Sequence, residues 1–275
     1  MIHRPLCIAL PLLLSLATAC GGDSGDNGGN PTDGGGEATP DADLNVEPTA
    51  FRITKLALLD PHPFAINQSF DVVGVVNDSI TAAVDGDAPP EDGVLDLNLA
   101  LVFRPLDTTA ASAPMAITFP TCSAPLASTV CMEEATTTVI NSVATNQASD
   151  CLDALPGTVA PYDPPVVAVP GPCFVSSAVD VTVNLGTVTL PLKGAQVAAT
   201  FDGAEPTTLS TGLLRGFVTK TDADAILIPD TVALVGGEPL STLLTDADMD
   251  VEAGTDGWWF YISLEAATVD YTFAE

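Results

Sequence analysis

The sequence predicts a mainly β chain: an antiparallel β-sandwich with a disulfide-bearing insert and one or two short helices. Three observations lead there. Val, Thr, Leu and Ala are abundant, and no long stretch repeats its apolar residues at helical spacing. Leu95 to Arg104 alternates strictly, with Leu95, Leu97, Leu99, Leu101 and Phe103 on one side and Asp96, Asn98, Ala100, Val102 and Arg104 on the other. Such alternation marks a strand with one buried and one more polar face, as antiparallel sheets have. Finally, Cys122, Cys131, Cys151 and Cys173 sit between two strand-rich regions, within residues 121–173.

Taken in order, Phe51 to Leu59 is a first strand, closed by Asp60-Pro61-His62-Pro63, and Phe70 to Val76 is a second. Asn77 or Asp78 can cap one or two helical turns through Ile80 and Val84. The alternating strand follows, then Met115 to Phe119. In the insert, four cysteines allow three pairings, and proximity favours Cys122–Cys131 and Cys151–Cys173, each contributing about 2–3 kcal/mol if unstrained. Pro156 to Pro172 is too interrupted for a central strand. Beyond it, Val179 to Leu185 alternates, Thr187 to Leu192 returns as a hairpin, and Ala195 to Phe201 and Thr207 to Val218 are further strands. Thr219 or Thr221 caps a short helix through Ala225, and Pro239 to Leu244 is a second. Gly257 to Ala266 and Val269 to Phe273 close the chain as strands.

The charge balance limits the partners. Seven Lys+Arg stand against 36 Asp+Glu, a formal net charge of −29. Nucleic acid is excluded as an expected partner, because phosphate binding needs cations to displace counterions. Adsorption to anionic headgroups is disfavoured for the same reason. A 47% hydrophobic content argues for a folded domain rather than an acidic disordered one.

The first residues read as an export signal. Arg4 supplies a charged start, and Leu6 to Leu16 forms an apolar core of ~11 residues, short of the ~20 needed to cross a bilayer. Leu16-Ala17-Thr18-Ala19-Cys20 then resembles the lipobox of bacterial lipoproteins, with Leu one place further from the cysteine than is usual. The resemblance implies a signal peptide over residues 1–19, an acylated Cys20 that anchors the chain in a membrane, and, with Gly21 rather than Asp next, an outer-membrane address. Residues 20–48 read as a flexible acidic linker, rich in Gly from Gly21 to Gly36 and spanning about 30 Å. Residues 49–275 form the sandwich domain, with 121–173 as its insert. The run Asp85 to Pro105 and the closing Gly257-Trp258-Trp259-Phe260-Tyr261 resemble uncharacterised envelope lipoproteins of the myxobacterial type, a resemblance covering less than a fifth of the chain and implying no activity.

Little in the chain points to catalysis. After Cys20 the one histidine is His62, between Pro61 and Pro63, and reads as a turn residue; no nucleophile, nucleotide or zinc motif accompanies it. Paired carboxylates could serve a hydrolase, but no pair stands out among 36 acids. Calcium, as a cofactor, has two candidate clusters. Asp246, Asp248, Asp250 and Glu252 place oxygens at alternate positions, with Asp256 after them, although Val251 and Gly257 replace the required glycine and glutamate of an EF-hand loop. Asp85, Asp87, Glu91 and Asp92 form the other cluster, interrupted by Pro89 and Pro90. Trp259 and Tyr261 share the strand face opposite Trp258 and Phe260; they are either a sugar-stacking platform or a second covered face. The expected function is therefore a lipid-anchored envelope module for binding or structure. A calcium-dependent or carbohydrate-binding adhesion domain is the alternative, and a carboxylate-based hydrolase the third reading.

Overall fold

The computed structural model describes residues 46–273, apart from 67, 88–90, 92, 94, 119–130, 134–139, 186–187 and 231. The strands are β1 (Thr49–Asp60), β2 (Phe64–Ala65), β3 (Phe70–Asp71), β4 (Ala100–Arg104), β5 (Ala113–Thr118), β6 (Cys131–Glu133), β7 (Ile140–Thr145), β8 (Cys173–Ser176), β9 (Val179–Leu185), β10 (Val188–Phe201), β11 (Thr208–Thr219), β12 (Asp250–Glu252), β13 (Thr255–Val269) and β14 (Tyr271–Phe273). Helices α1 (Val73–Asp85), α2 (Lys220–Ala225) and α3 (Leu240–Leu243) and a 3-10 turn at Asp246–Asp248 complete the described elements. None of these helices is long and apolar enough to cross a membrane.

The large sheet is antiparallel, in the order β1-β4-β5-β7-β8-β10-β11-β13-β12, and β1 also pairs with β13. Eight strands, β1, β4, β5, β7, β8, β10, β11 and β13, therefore form a closed ring whose neighbours follow one another along the chain. The two-walled core expected of a sandwich is present, enclosed by one sheet that joins at both edges. Ala50↔Val269 through Asp60↔Tyr261 close the ring on one side of β1, and Thr49↔Phe103 through Arg52↔Ala100 on the other. Closure leaves these eight strands without the unpaired edges that invite foreign strands, while β9 and β12 branch off the ring.

The interior is apolar. Phe51, Phe103, Met115, Ile117, Phe174, Leu192, Trp258, Phe260 and Ile262 belong to one buried cluster. Phe103 stands edge-on to both Phe51, at 5.6 Å between ring centroids, and Phe174, at 4.8 Å, so three strands interlock through aromatic rings. A membrane-spanning barrel shows the reverse polarity, a polar interior inside an apolar outer band.

Three elements differ from their expectation. Phe70–Val76 is not one strand: β3 ends at Asp71, and α1 runs 13 residues from Val73 instead of one or two turns. Its valines favour strands by propensity, but packing against β1 decides. Asn77 accepts a bond from Leu58 N (2.8 Å) and donates to Leu58 O (3.0 Å), so the helix satisfies strand groups that β4 does not reach. The ten-residue strand from Leu95 shortens to Ala100–Arg104, because Asp96 N and Leu97 N bond to Gly86 O and Ala83 O at the end of α1. The insert is narrower than 121–173, since β7 is a wall strand between β5 and β8. Cys122 lies outside the described residues, and the side chain of Cys131 is not described, so that pairing is left aside.

The remaining insert is a strap from Asn146 to Pro172, drawn together by the Cys151–Cys173 disulfide. Leu152 and Val169 pair across it, through Cys151 N to Val169 O and Val169 N to Leu152 O, both 2.8 Å. Where the strap rejoins the wall, Gly171 is required: a Cβ there would lie 1.9 Å from Gln147 O. Closing a loop with a sequence separation of 22 contributes about 3 kcal/mol. Cys151→Ser with Cys173→Ser is therefore expected to lower chemical stability by about 3 kcal/mol and to red-shift tryptophan emission as the strap lifts from Trp259; unchanged emission with the same stability loss would place the disulfide's effect elsewhere.

Candidate functional site

The strap covers the outer face of β10, β11 and β13. Strict alternation along β13 turns Trp258, Phe260, Ile262 and Leu264 inward, and Trp259 and Tyr261 outward. Those two outward rings are not exposed: Trp259 is 8% and Tyr261 0% accessible, packed with Leu213, Phe217, Leu152 and Val169. The Tyr261 hydroxyl accepts from Leu155 N at 3.0 Å and shares a short hydrogen bond with Thr158. Burial raises the Tyr261 pKa. Of the two readings of Trp259 and Tyr261, the burial fits the covered face, since a ring sealed under protein has no face left for a sugar to stack on. Trp259→Ala is expected to cost about 3–5 kcal/mol of stability, measured by denaturant unfolding; a near-neutral effect would mean that the strap does not hold its place in solution.

Polar fastenings hold the strap along its length. Arg215 reaches from β11 to Asp153 O (2.5 Å) and Gln196 Oε1 (2.6 Å), and its desolvation lowers its pKa. Asp60, at the end of β1, accepts from Ala160 N at 2.8 Å. Tyr162 stacks flat on His62, with centroids 3.7 Å apart and planes at 5°, and donates to Asp248 Oδ2 at 2.6 Å. His62 Nδ1 meets Asp71 Oδ2 at 2.5 Å. His62 lies in the bend between β1 and β2, as its prolines suggest, and is at the same time a buried junction that links β3 to the strap.

This junction gathers His62, Asp71, Tyr162 and Asp248 through stacking and hydrogen bonds, with Asp60 close enough to feel their charges. Its electrostatics follow from burial among acids. Desolvation lifts the Asp60 carboxyl to about 6 from 3.8, with Asp248 and Asp250 adding repulsion while Ala160 N and His62 oppose it. Asp250 is also raised, by desolvation first and Asp248 second. Tyr162 is raised by desolvation and by its bond to Asp248. The His62–Asp71 pair resembles the base and orienting carboxylate of a hydrolytic triad, and His62 Nε2 is buried without a hydrogen-bond partner. Of the hydroxyls bonded to groups around it, Thr245 donates to Asp248 Oδ2, and Thr158 is held by Leu155 O and Tyr261. Asp60 is 2% and His62 3% accessible, whereas Asp71 opens to solvent. What this arrangement does chemically is fasten.

The calcium candidates are spread over three elements. Asp246 and Asp248 lie in the 3-10 turn, Asp250 and Glu252 on β12, and Asp256 on β13, where it pairs with Val251. Asp248 Oδ2 is occupied by Tyr162 and Thr245. Among the described residues no three His, Cys, Asp or Glu side chains come together as metal ligands. An extended β12 spreads oxygens that a bound cation would have to gather. In the second cluster Asp87 Oδ2 accepts from Gly93 N at 2.6 Å, while Pro89, Pro90 and Asp92 lie outside the described residues.

One open surface adjoins the strap. A groove of about 260 Å³ runs between β1, β11, β13 and Val167 of the strap, with Lys55, Thr211, Ser263 and Glu265 supplying its polar side chains. Lys55 and Glu265 bridge at 2.9 Å across the strand pair. Thr211 holds a left-handed φ of 45° at a bulge, where two residues of β11 fall between Leu209↔Ala266 and Gly212↔Leu264. Gly212 is obligatory beside it, because a Cβ would lie 2.4 Å from Leu264 Cδ1. Sequence reasoning missed Asp60, Asp71, Tyr162 and Arg215. Arg215 alone left a signal, a single cation in the apolar run Leu213-Leu214-Arg215-Gly216-Phe217.

No protein-family model, curated protein or solved structure matches this chain.

Because the folded pKa of Asp60 lies above its unfolded value, the folded state holds the proton more tightly. Stability is full below about pH 4 and falls as pH rises to about 6, by up to about 3 kcal/mol. Asp60→Asn keeps an acceptor for Ala160 N and is expected to raise the melting temperature at pH 7 but not at pH 4. Equal effects at both pH values would show that the carboxylate charge is not the destabilising element.

Proposed function

We propose that this chain is a lipid-anchored protein of the bacterial outer membrane, whose closed β domain acts as a binding or structural module of the envelope. The observation that carries the reading is the Cys151–Cys173 disulfide pinning a strap over the sheet. Disulfides of this structural kind persist in oxidising compartments outside the cytosol. Cys20, following an apolar run, supplies the attachment, and residues 20–48 the spacer. Several acyl chains on one residue give firm anchoring, at about 0.8 kcal/mol per buried methylene. The chain's net charge of −29, most of it carried beyond residue 48, disfavours contact of the domain with anionic headgroups. In the binding version the groove beside Lys55, Thr211 and Glu265 receives the ligand, since it is a concave surface open to solvent next to the fastened strap.

The test is fractionation of a Gram-negative host expressing the chain, with metabolic fatty-acid labelling. Wild type is expected in the membrane fraction and labelled. Cys20→Ala is expected to be unlabelled and either soluble or an uncleaved precursor; labelled, membrane-held Cys20→Ala protein would refute the anchor.

A further inference from the structure

Closing the barrel leaves one long strand with an open side. β9 pairs with β10 alone, from Val188↔Leu185 to Ala195↔Val179. Among the described residues no strand, helix or loop bonds to its other edge, and no other one-sided strand exceeds three residues. Proteins usually guard such edges with proline, lysine, a bulge or brevity. β9 has none of these over seven residues, and the bulge of this hairpin sits on β10, between Leu192 and Ala195. Its one charge, Asp180, is neutralised within the hairpin: Oδ2 meets Lys193 Nζ at 3.0 Å and Oδ1 accepts from Gly194 N at 3.0 Å.

The sequence of that edge says what fits it. Val179, Val181, Val183 and Leu185 share one face and are only half-buried, whereas Asp180, Thr182 and Asn184 face solvent. If β9 meets a second β9 antiparallel about a two-fold axis at Thr182, Val181 faces Val183 and Val179 faces Leu185. Asp180 then faces Asn184, so no like charges oppose each other anywhere along the seam. The axis stands perpendicular to the sheet, which keeps both apolar faces on the same side. A strand is self-complementary in this way only when its pattern reads alike in both directions, as this one does.

We propose that β9 is a homodimerisation edge, joining two copies of this chain through an antiparallel β9–β9 seam centred on Thr182. The contact is isologous and closes after two copies. Main-chain hydrogen bonds supply the attachment, and the Val–Val and Val–Leu pairs add cross-strand packing. Net charges of −29 on each copy oppose approach at long range, so the dimer strengthens as salt screens them.

The experiment is sedimentation equilibrium on the purified full chain bearing Cys20→Ser, so that no acyl chain contributes to association. A monomer–dimer equilibrium is expected, with more dimer at about 150 mM salt than at about 10 mM. Thr182→Asp and Thr182→Lys each bring like charges together at the axis and are expected to weaken the dimer about tenfold or more. An equimolar mixture of the two restores it, because Asp then faces Lys. Thr182→Ser is the control for folding and is expected to dimerise like wild type, with circular dichroism checked for all variants. A monomer at every concentration, a dimer indifferent to both charged variants, or one that dissolves as salt rises would each overturn the β9 seam.

Discussion

The pairing of β1 with β13 is the constraint on which the rest of the structure depends. Those two strands are the first and last of the ring, separated by some two hundred residues, and every intervening strand is enclosed only because they meet. Their register sets which face of β13 looks inward, and a slip of one residue would exchange Trp258 and Phe260 for Trp259 and Tyr261. Both sets are buried, so the slip would disturb two cores at once. Few strands are so firmly specified.

The second core exists because the outer face of β13 is as aromatic as its inner face. A single-walled sheet would leave Trp259, Tyr261, Phe217 and Leu213 in water. The strap resolves that problem with a segment that cannot itself join the wall, being too rich in proline. It is held by a covalent tie at its base and by polar contacts along its length. Arg215, Asp60 and Tyr162 tie the strap down at Asp153 O, Ala160 N and Asp248 Oδ2, and of these three side chains Asp60 is the one fully buried.

Much of the wall was legible in the sequence because period-two alternation survives wherever one strand face is apolar. Val179–Leu185 was readable residue for residue, and Thr219 declared itself as the cap of α2, accepting from Asp222 N at 3.0 Å. Leu95–Leu99 misled because its alternation continues past the point where the chain turns to bond with α1. Val73–Val76 misled because β-branched side chains signal strands, whereas contact with β1 made them helical. The polar junction was not legible. His62, Asp71, Tyr162 and Asp248 are separated by up to 186 positions, and no local pattern links an imidazole to a tyrosine a hundred residues away. For Trp259 and Tyr261, sequence alone could not choose between platform and covered face, because the cover comes from a segment that has no periodicity.

The entry of the chain into the fold through β1 has a mechanical consequence. Any tension arriving from the residues before Thr49 acts on a strand bonded on both sides, to β13 along most of its length and to β4 at its start. A pull along the strand axis loads those bonds in shear, sharing the force among them instead of opening them one after another. The strand that completes the enclosure is also the one that would carry any such load, and it meets it paired on both sides at its start.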